Sequence, residues 1–220
     1  MTEHSAPRVV ALVPVKPLSG AKSRLAALGS PRREALVLAL LERTLRAGVR
    51  ALGAGNVALV GGDARTRQVA AAAGVSVWAD HGSDLNSGLW LAMQRAYAEG
   101  ADGALYLPAD LPALTPNDVR AVVRASRGCT RPAGARAEAD GGTNALLLPA
   151  TAAFAPLLGN DSYARHVHAC AAALTPLAPV RRRGFAADAD TPDDVAGALA
   201  AHPGLARAVA AWERRLAHTG

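Results

Sequence analysis

The feature that most constrains this chain is an alternation. Short β-branched apolar runs take turns with longer stretches whose apolar residues fall at helical spacing. The runs predict strands at Val9–Val13, Val57–Val60, Val75–Trp78, Ala104–Leu107 and Ala145–Leu148, with a further short one at Leu177–Arg181. The spacing predicts helices at Pro31–Arg46, Ala64–Ala73, Leu85–Glu99, Pro116–Arg127, Ser162–Ala173, Pro192–Ala201 and Leu205–Leu216, with Ser30-Pro31 as cap and first position of the first. Alternation of this kind belongs to an α/β fold, a mostly parallel sheet with helices on both faces. Its strands are buried on both sides and so read as continuous apolar runs. Gly128–Gly142, rich in Gly, Ala and Arg, reads as a loop or irregular excursion, and Gly53-Ala54-Gly55 as a turn before a strand. With 220 residues, no internal repeat and no long linker, one domain spanning 1–220 is expected.

Composition excludes several classes. Half of the residues are hydrophobic and only 19% are charged, which rules out an extended disordered chain. Aromatics, at 4%, are too sparse for stacking platforms along nucleic acid. No apolar run reaches the roughly 18 residues of a membrane span, and Val9–Val15 lacks the layout of a signal peptide. Cys129 and Cys170 give no disulfide framework. A cytoplasmic protein with neither membrane nor nucleic-acid partner is therefore expected. The net charge of +6 is scattered, and its one dense run, Arg181–Arg183, reads as a solvated face; small phosphorylated ligands suit it better than a polymer. Of 24 basic residues only Lys16 and Lys22 are lysine, and both lie in VPVKPLSGAKSRL. Positions that keep lysine in an arginine-biased chain call for a compact ammonium on a flexible stem.

In an open parallel sheet, ligands bind beyond the carboxyl ends of the strands. After the first strand, Lys16, Lys22 and Arg24 with Gly20 between them make a cradle for a polyphosphate, weighed against a plain exposed basic loop. After the fourth, Asp110 stands alone between prolines in PADLP, placed to hold a divalent cation. Its alternative role as a turn residue is not needed by the next helix, which has its own cap in Thr115–Asp118. In DADTPDD, Thr191, Pro192, Asp193 and Asp194 start a helix and leave Asp188 and Asp190 unexplained. Asp188 with Asp110 is the expected metal pair, with Asp190 as a third carboxylate. Gly141-Gly142-Thr143-Asn144 suits backbone contact with an anion. Gly159 and Ser162 precede a helix, where an anion site or simple capping by Ser162 are equally open readings. On that helix His166 and Cys170 share a face and His168 points away, so a structural or exposed role is expected rather than a metal site.

Five segments, VPVKPLSGAKSRL, PADLP, GGTNALLLP, GNDSYARH and DADTPDD, run in that order over nearly the whole chain. The set resembles the 2-phospho-L-lactate guanylyltransferase family of coenzyme F-420 biosynthesis, with its phosphoenolpyruvate and 3-phospho-D-glycerate variants, in a superfamily shared with molybdenum cofactor guanylyltransferase. The resemblance implies a single Rossmann-like three-layer nucleotidyltransferase domain that transfers GMP from GTP to the phosphate of a three-carbon acid and releases pyrophosphate. It implies Mg2+ held by Asp110 and Asp188, nucleotide phosphates held by Lys16, Lys22 and Arg24, and a nucleoside near Leu85-Asn86. Thr143, Gly159 and Ser162 match the positions that bind the phospho-acid, with Asn144 beside them. A product handed to the next enzyme of the pathway, and a homodimer as one assembly open to such folds, follow from the same resemblance. The glycine-rich L-A-A-G-x-G-x-R loop of related nucleotidyltransferases is missing, and Gly128–Asp140 matches no family pattern. The rival readings are a molybdopterin, isoprenoid or sugar-phosphate nucleotidyltransferase using GTP or CTP, and a basic nucleic-acid-binding protein.

Overall fold

The structure is a computed structural model that describes residues 6–18, 25, 28–151 and 154–218. In chain order the elements are β1 (Val9–Val15), α1 (Ser30–Leu52), β2 (Val57–Gly61), α2 (Ala64–Ala72), β3 (Ser76–Trp78), α3 (Leu85–Ala98), β4 (Gly103–Tyr106), α4 (Pro116–Ala125), β5 (Ala133–Arg136), β6 (Thr143–Pro149), α5 (Ser162–Ala172), β7 (Ala178–Pro179), α6 (Pro192–Ala201) and α7 (Pro203–Ala217). The seven strands form one sheet in the order β3-β2-β1-β4-β6-β5-β7.

Two cores follow from the period of two along each strand. Val9, Ala11 and Val13 of β1 face a cluster built with Val37, Leu38 and Leu41 of α1 and Val119 and Val122 of α4. Val10 and Leu12 face the other way, onto Leu89, Ala92 and Met93 of α3. Helices thus cover both faces. A third cluster lies outside the sheet, where α7 brings Leu205 and Val209 against Leu36, Ala39 and Leu40 of α1.

Sheet polarity positions the site. β1 pairs in parallel with β2 and β4, and β2 with β3, so these four strands end at one edge. β6 runs antiparallel to β4, with Tyr106 opposite Leu146, so β6 begins at that same edge. Thr143 at its start lies beyond the last paired residue of β4. β5, antiparallel to β6, and β7, parallel to β5 at the end of the sheet, end there as well.

Three elements depart from the sequence-based expectation. The stretch Gly128–Gly142 contains β5, a strand of sequence AGAR. Its small residues carry no strand signal; pairing on both sides makes the strand, and a Cβ on Gly134 would come within 3.2 Å of the Ala145 carbonyl oxygen. The Leu177–Arg181 run shrinks to β7, prolonged by one bond from the Val180 N–H to the Gly134 carbonyl at 2.8 Å. Ser30 does not cap α1: Gly29 holds that position at φ 75° without a side-chain bond, and the helix runs past Arg46 to Leu52 because Ala47 and Gly48 are still buried. Gly53-Ala54-Gly55 acts as the turn expected, with Gly53 closing α1 at φ 87°.

Candidate active site

The loop after β4 and the segment before α6 meet at the carboxyl edge. The Ala189 N–H donates to the Asp110 carbonyl at 3.2 Å, which joins PADLP to DADTPDD. Asp110, Asp188 and Asp190 are all half-buried there. The buried Tyr106 senses them: burial first, and then the charges of Asp110, Asp188 and Asp190, push its phenol far up, so it stays protonated. Among the described residues, no three His, Cys, Asp or Glu side chains form a metal cage of protein groups alone. Asp110 and Asp188, on segments bonded together at this edge, could each supply a carboxylate to a small hard dication, whose shell is commonly completed by ligand oxygens and water.

The segment carrying Asp188 is anchored from behind. A short 3-10 turn, Arg183–Phe185, leads into it, and the buried amide of Asn144 donates to the Phe185 carbonyl at 3.0 Å. One amide hydrogen of Asn144, a residue expected at the substrate, is thus used for this anchor. Gly184 packs so closely on Asp118 that an added Cβ would overlap the carboxylate. Asp118, its side chain 5% exposed, takes the Thr115 N–H and O–H at 3.0 and 2.6 Å and the Arg182 Nε–H at 2.8 Å. Arg182 is thus not part of a merely solvated run.

Thr143 owes its orientation to a β-bulge. Ala135 pairs with Ala145 but the next residue, Arg136, pairs with Thr143, so β6 has one extra residue, Asn144. A bulge re-aims the side chains that follow. Here it sends Asn144 to Phe185 and Thr143 to α5. The Thr143 hydroxyl lies 2.9 Å from His166 Nδ1 and accepts from the Ser162 hydroxyl at 3.0 Å, all three residues buried. Ser162 does not cap α5. The cap position is Asp161, in left-handed conformation at φ 54°, with no side-chain bond. His166 and Cys170 share the buried face, and His168 is exposed, as the helical spacing predicts.

The remaining expected residues divide. Gly159 is exposed at φ 125°, and its carbonyl takes the Ser162 N–H at 3.1 Å. Asn86 is clamped, accepting the Leu158 N–H at 2.7 Å and donating to the Leu158 carbonyl at 3.3 Å, so it binds the 157–158 segment to the start of α3. Lys16 is exposed just past β1. The loop there is tied down by the Leu18 N–H donating to Asp63 Oδ2 at 2.7 Å. Lys22 and Arg24 lie outside the described residues. Asp63, which also caps α2, was not singled out from sequence, although D-x-x-T before a helix is a readable capping box. Burial pushes its carboxyl up, but the bonds from Leu18, Thr66 and Arg65 outweigh that and leave its pKa lowered. Gly61 and Gly62, both at φ 80°, end β2 at the same edge, and a Cβ on Gly61 would stand 3.0 Å from the Val15 carbonyl.

A cavity of about 1200 Å³ between α1, α2 and α7 contains none of the expected site residues. A smaller one of about 510 Å³ adjoins Thr143 and Ser162 through their neighbours Arg136 and Tyr163, and Arg181 and Arg183 also line it. These guanidiniums give this side of the edge a positive potential.

A sheet whose parallel strands end at an aspartate-bearing edge defines a nucleotidyltransferase once the match to the MobA-like NTP transferase domain over residues 37–213 is added. A nucleotide-diphospho-sugar transferase from Desulfovibrio desulfuricans G20 shares the fold, with a TM-score of 0.67 at 18% identity over 95% of this chain and 98% of that one. The chain is 40% identical over 189 residues to a phosphoenolpyruvate guanylyltransferase of Sphaerobacter thermophilus, covering 84% of this chain and 90% of that one. It is 36% identical over 189 residues to one of Rubrobacter xylanophilus, covering 86% and 92%. The chain belongs to the phosphoenolpyruvate guanylyltransferase family.

Proposed function

We propose that the protein, acting as one domain over its whole length, transfers GMP from GTP to the phosphate of phosphoenolpyruvate. The observation that carries the reading is the junction at the sheet edge. There the Asp110 and Asp188 segments are hydrogen-bonded together across from a buried Thr143–Ser162 pair. The names of the relatives support the choice of GTP and of phosphoenolpyruvate over other phospho-acids.

A phosphate oxygen of the acid attacks the α-phosphorus of GTP. The bond from that phosphorus to the bridging oxygen of pyrophosphate breaks, and a phosphoric anhydride remains. The nucleophile is already an anion, so the task is to bring two polyanions together, align them and stabilise the added charge. Asp110 and Asp188 hold a divalent cation, Mg2+ by the chemistry of the donor set, with Asp190 beside them. When bound, that ion neutralises charge developing on the phosphate oxygens. Lys16, with Lys22 and Arg24, binds the nucleotide phosphates, and Asn86 fixes the wall beside the nucleoside. Thr143 and Gly159 hold the phospho-acid, Ser162 acting through its bond to Thr143, and Asn144 steadies the segment that carries Asp188. The product passes, in the cytoplasm, to the next enzyme of coenzyme F-420 biosynthesis.

The test is pyrophosphate release with Mg2+, each nucleoside triphosphate and each phospho-acid in turn. GTP with phosphoenolpyruvate should be the best pair, and a preference for CTP would overturn the choice of base. Asp110→Asn should lower turnover by at least roughly a thousandfold, since a lost metal ligand removes several kcal/mol of transition-state stabilisation. Its melting temperature should be unchanged. Near-normal activity of this variant at saturating magnesium would overturn the metal assignment.

A further inference from the structure

We propose that His166 is a positioning residue for recognition of the acid: through one hydrogen bond it turns the Thr143 hydroxyl proton toward an oxyanion of the ligand. The inference rests on the function proposed above and adds a residue and a polarity to its acid-binding side.

Direction comes from a proton count. The Leu157 backbone N–H donates to His166 Nε2 at 2.9 Å. A backbone N–H can only donate, so Nε2 is the bare nitrogen and the ring proton sits on Nδ1. Nδ1 is 2.9 Å from Thr143 Oγ1, so that contact is a donation from histidine to threonine. The Ser162 hydroxyl donates to the same oxygen at 3.0 Å. Both lone pairs of Thr143 Oγ1 are then occupied, and its own hydrogen has no acceptor among the described residues. Polarity runs one way, from the Leu157 N–H through the imidazole to Thr143 and outward. A hydroxyl forced to donate selects an acceptor-only group, the phosphate or carboxylate of an anionic ligand.

Two further observations agree. His166 and Ser162 have no exposed surface, and Thr143 is 5% exposed, so the relay is screened from bulk water. Burial, then the neighbouring charge of Arg165, pulls the imidazole down to about 4, so it stays neutral and keeps one proton to place. The bulge at Asn144 and the uncapped start of α5 are what bring the three side chains together.

Two substitutions separate positioning from mere structure. In His166→Asn the amide nitrogen stands where Nδ1 stood; the bond to Thr143 is kept and the acceptor for Leu157 is lost. In His166→Gln the amide oxygen stands where Nε2 stood; the bond to Leu157 is kept and the donor to Thr143 is lost. Kd for phosphoenolpyruvate by calorimetry, KM for phosphoenolpyruvate and for GTP, and melting temperature are measured for wild type and both variants. His166→Gln should raise Kd and KM for phosphoenolpyruvate roughly tenfold or more, with KM for GTP and the melting temperature near wild type. His166→Asn should keep KM for phosphoenolpyruvate within about threefold and melt lower. The reverse split, or an equal rise in both variants, overturns the inference. Wild-type protein that binds phosphoenolpyruvate but releases no pyrophosphate with GTP would sink the proposed activity and leave the His166 split to be read from Kd. Wild-type protein that binds no phosphoenolpyruvate would sink both.

Discussion

Helices α2, α3, α4 and α6 begin alike, and α5 begins differently. At the first four, a side chain and its partner three residues on form a reciprocal box: Asp63 with Thr66, Asp84 with Ser87, Thr115 with Asp118, Thr191 with Asp194. Each oxygen satisfies an N–H that the helix leaves orphaned, at about 0.5–2 kcal/mol apiece. At α5 the first two N–H groups are taken by the carbonyls of Gly159 and Gly141, both at 3.1 Å. The serine that sequence reading left open as a cap turns inward to Thr143 instead. The starts of α1 and α7 also lack a box, at Gly29 and His202; what sets α5 apart is that its first hydroxyl is buried and bonded to Thr143. The two kinds of helix start can therefore be told apart by what their loss damages: stability at the boxed ends, ligand binding at α5.

The sharpest break between them should come from Ser162→Ala. Removing a hydroxyl that caps nothing should leave the melting temperature nearly unchanged. It should raise KM for the phospho-acid roughly three- to tenfold, the scale of one neutral hydrogen bond, because the Ser162 proton supports Thr143 and does not itself meet the ligand. KM for GTP should stay put. A variant that melts several degrees lower with normal KM would show that Ser162 is structural after all and would erase the contrast.

How legible this was from sequence depends on how local each signal is. The boxes at Thr115 and Thr191 are signals within four residues, and both were readable in advance. The alternation of strands and helices was readable for the same reason, since each buried run or helical stripe is its own evidence. β5 was not, because AGAR becomes a strand only through neighbours on either side. Asn144 and Thr143 looked alike in the sequence as small polar residues after two glycines. Only the register shift between β5 and β6 sends one to the Phe185 carbonyl and the other to His166. His166 was legible as sharing a helix face with Cys170 but not as a partner, since Leu157 and Thr143 reach it from other parts of the chain. Arg181–Arg183 read as solvent-facing charge because its buried partner, Asp118, lies far back in the sequence.

Arg182→Lys makes that last point measurable on the boxed side of the comparison. Lysine keeps the charge but cannot place an N–H where Nε–H now meets the buried Asp118 carboxylate. Asp118 holds Thr115 at the start of α4 and supports the Gly184 turn, so the loss spreads to two places. A destabilisation of about 1–2 kcal/mol is expected, with a fall of roughly 2–8 °C in melting temperature. Turnover should drop only a few fold, and through kcat, because the segment carrying Asp188 loosens while the acid-binding side is untouched. Unchanged melting would return Arg182 to the solvated run.

The smallest effect belongs to Thr191→Ala, and it tests whether a boxed end can be free of function when it stands next to the site. Thr191 accepts the Asp194 N–H at 3.2 Å and donates its own hydroxyl to Asp194 at 2.7 Å, at an exposed helix start. Losing that exchange should cost about 1 kcal/mol, or roughly 2–4 °C in melting temperature for a chain of this length. Asp190 directly precedes Thr191, and the Thr191 N–H is itself held by Asp194 at 2.8 Å. That backbone bond does not need the hydroxyl, so Asp188 and Asp190 should keep their places in the variant. Titration of activity with magnesium should then give the wild-type midpoint, with KM for both substrates unchanged. A shifted midpoint would mean that the box also sets the carboxylates, and the division between stabilising and ligand-binding helix starts would have to be redrawn with α6 on the side of α5.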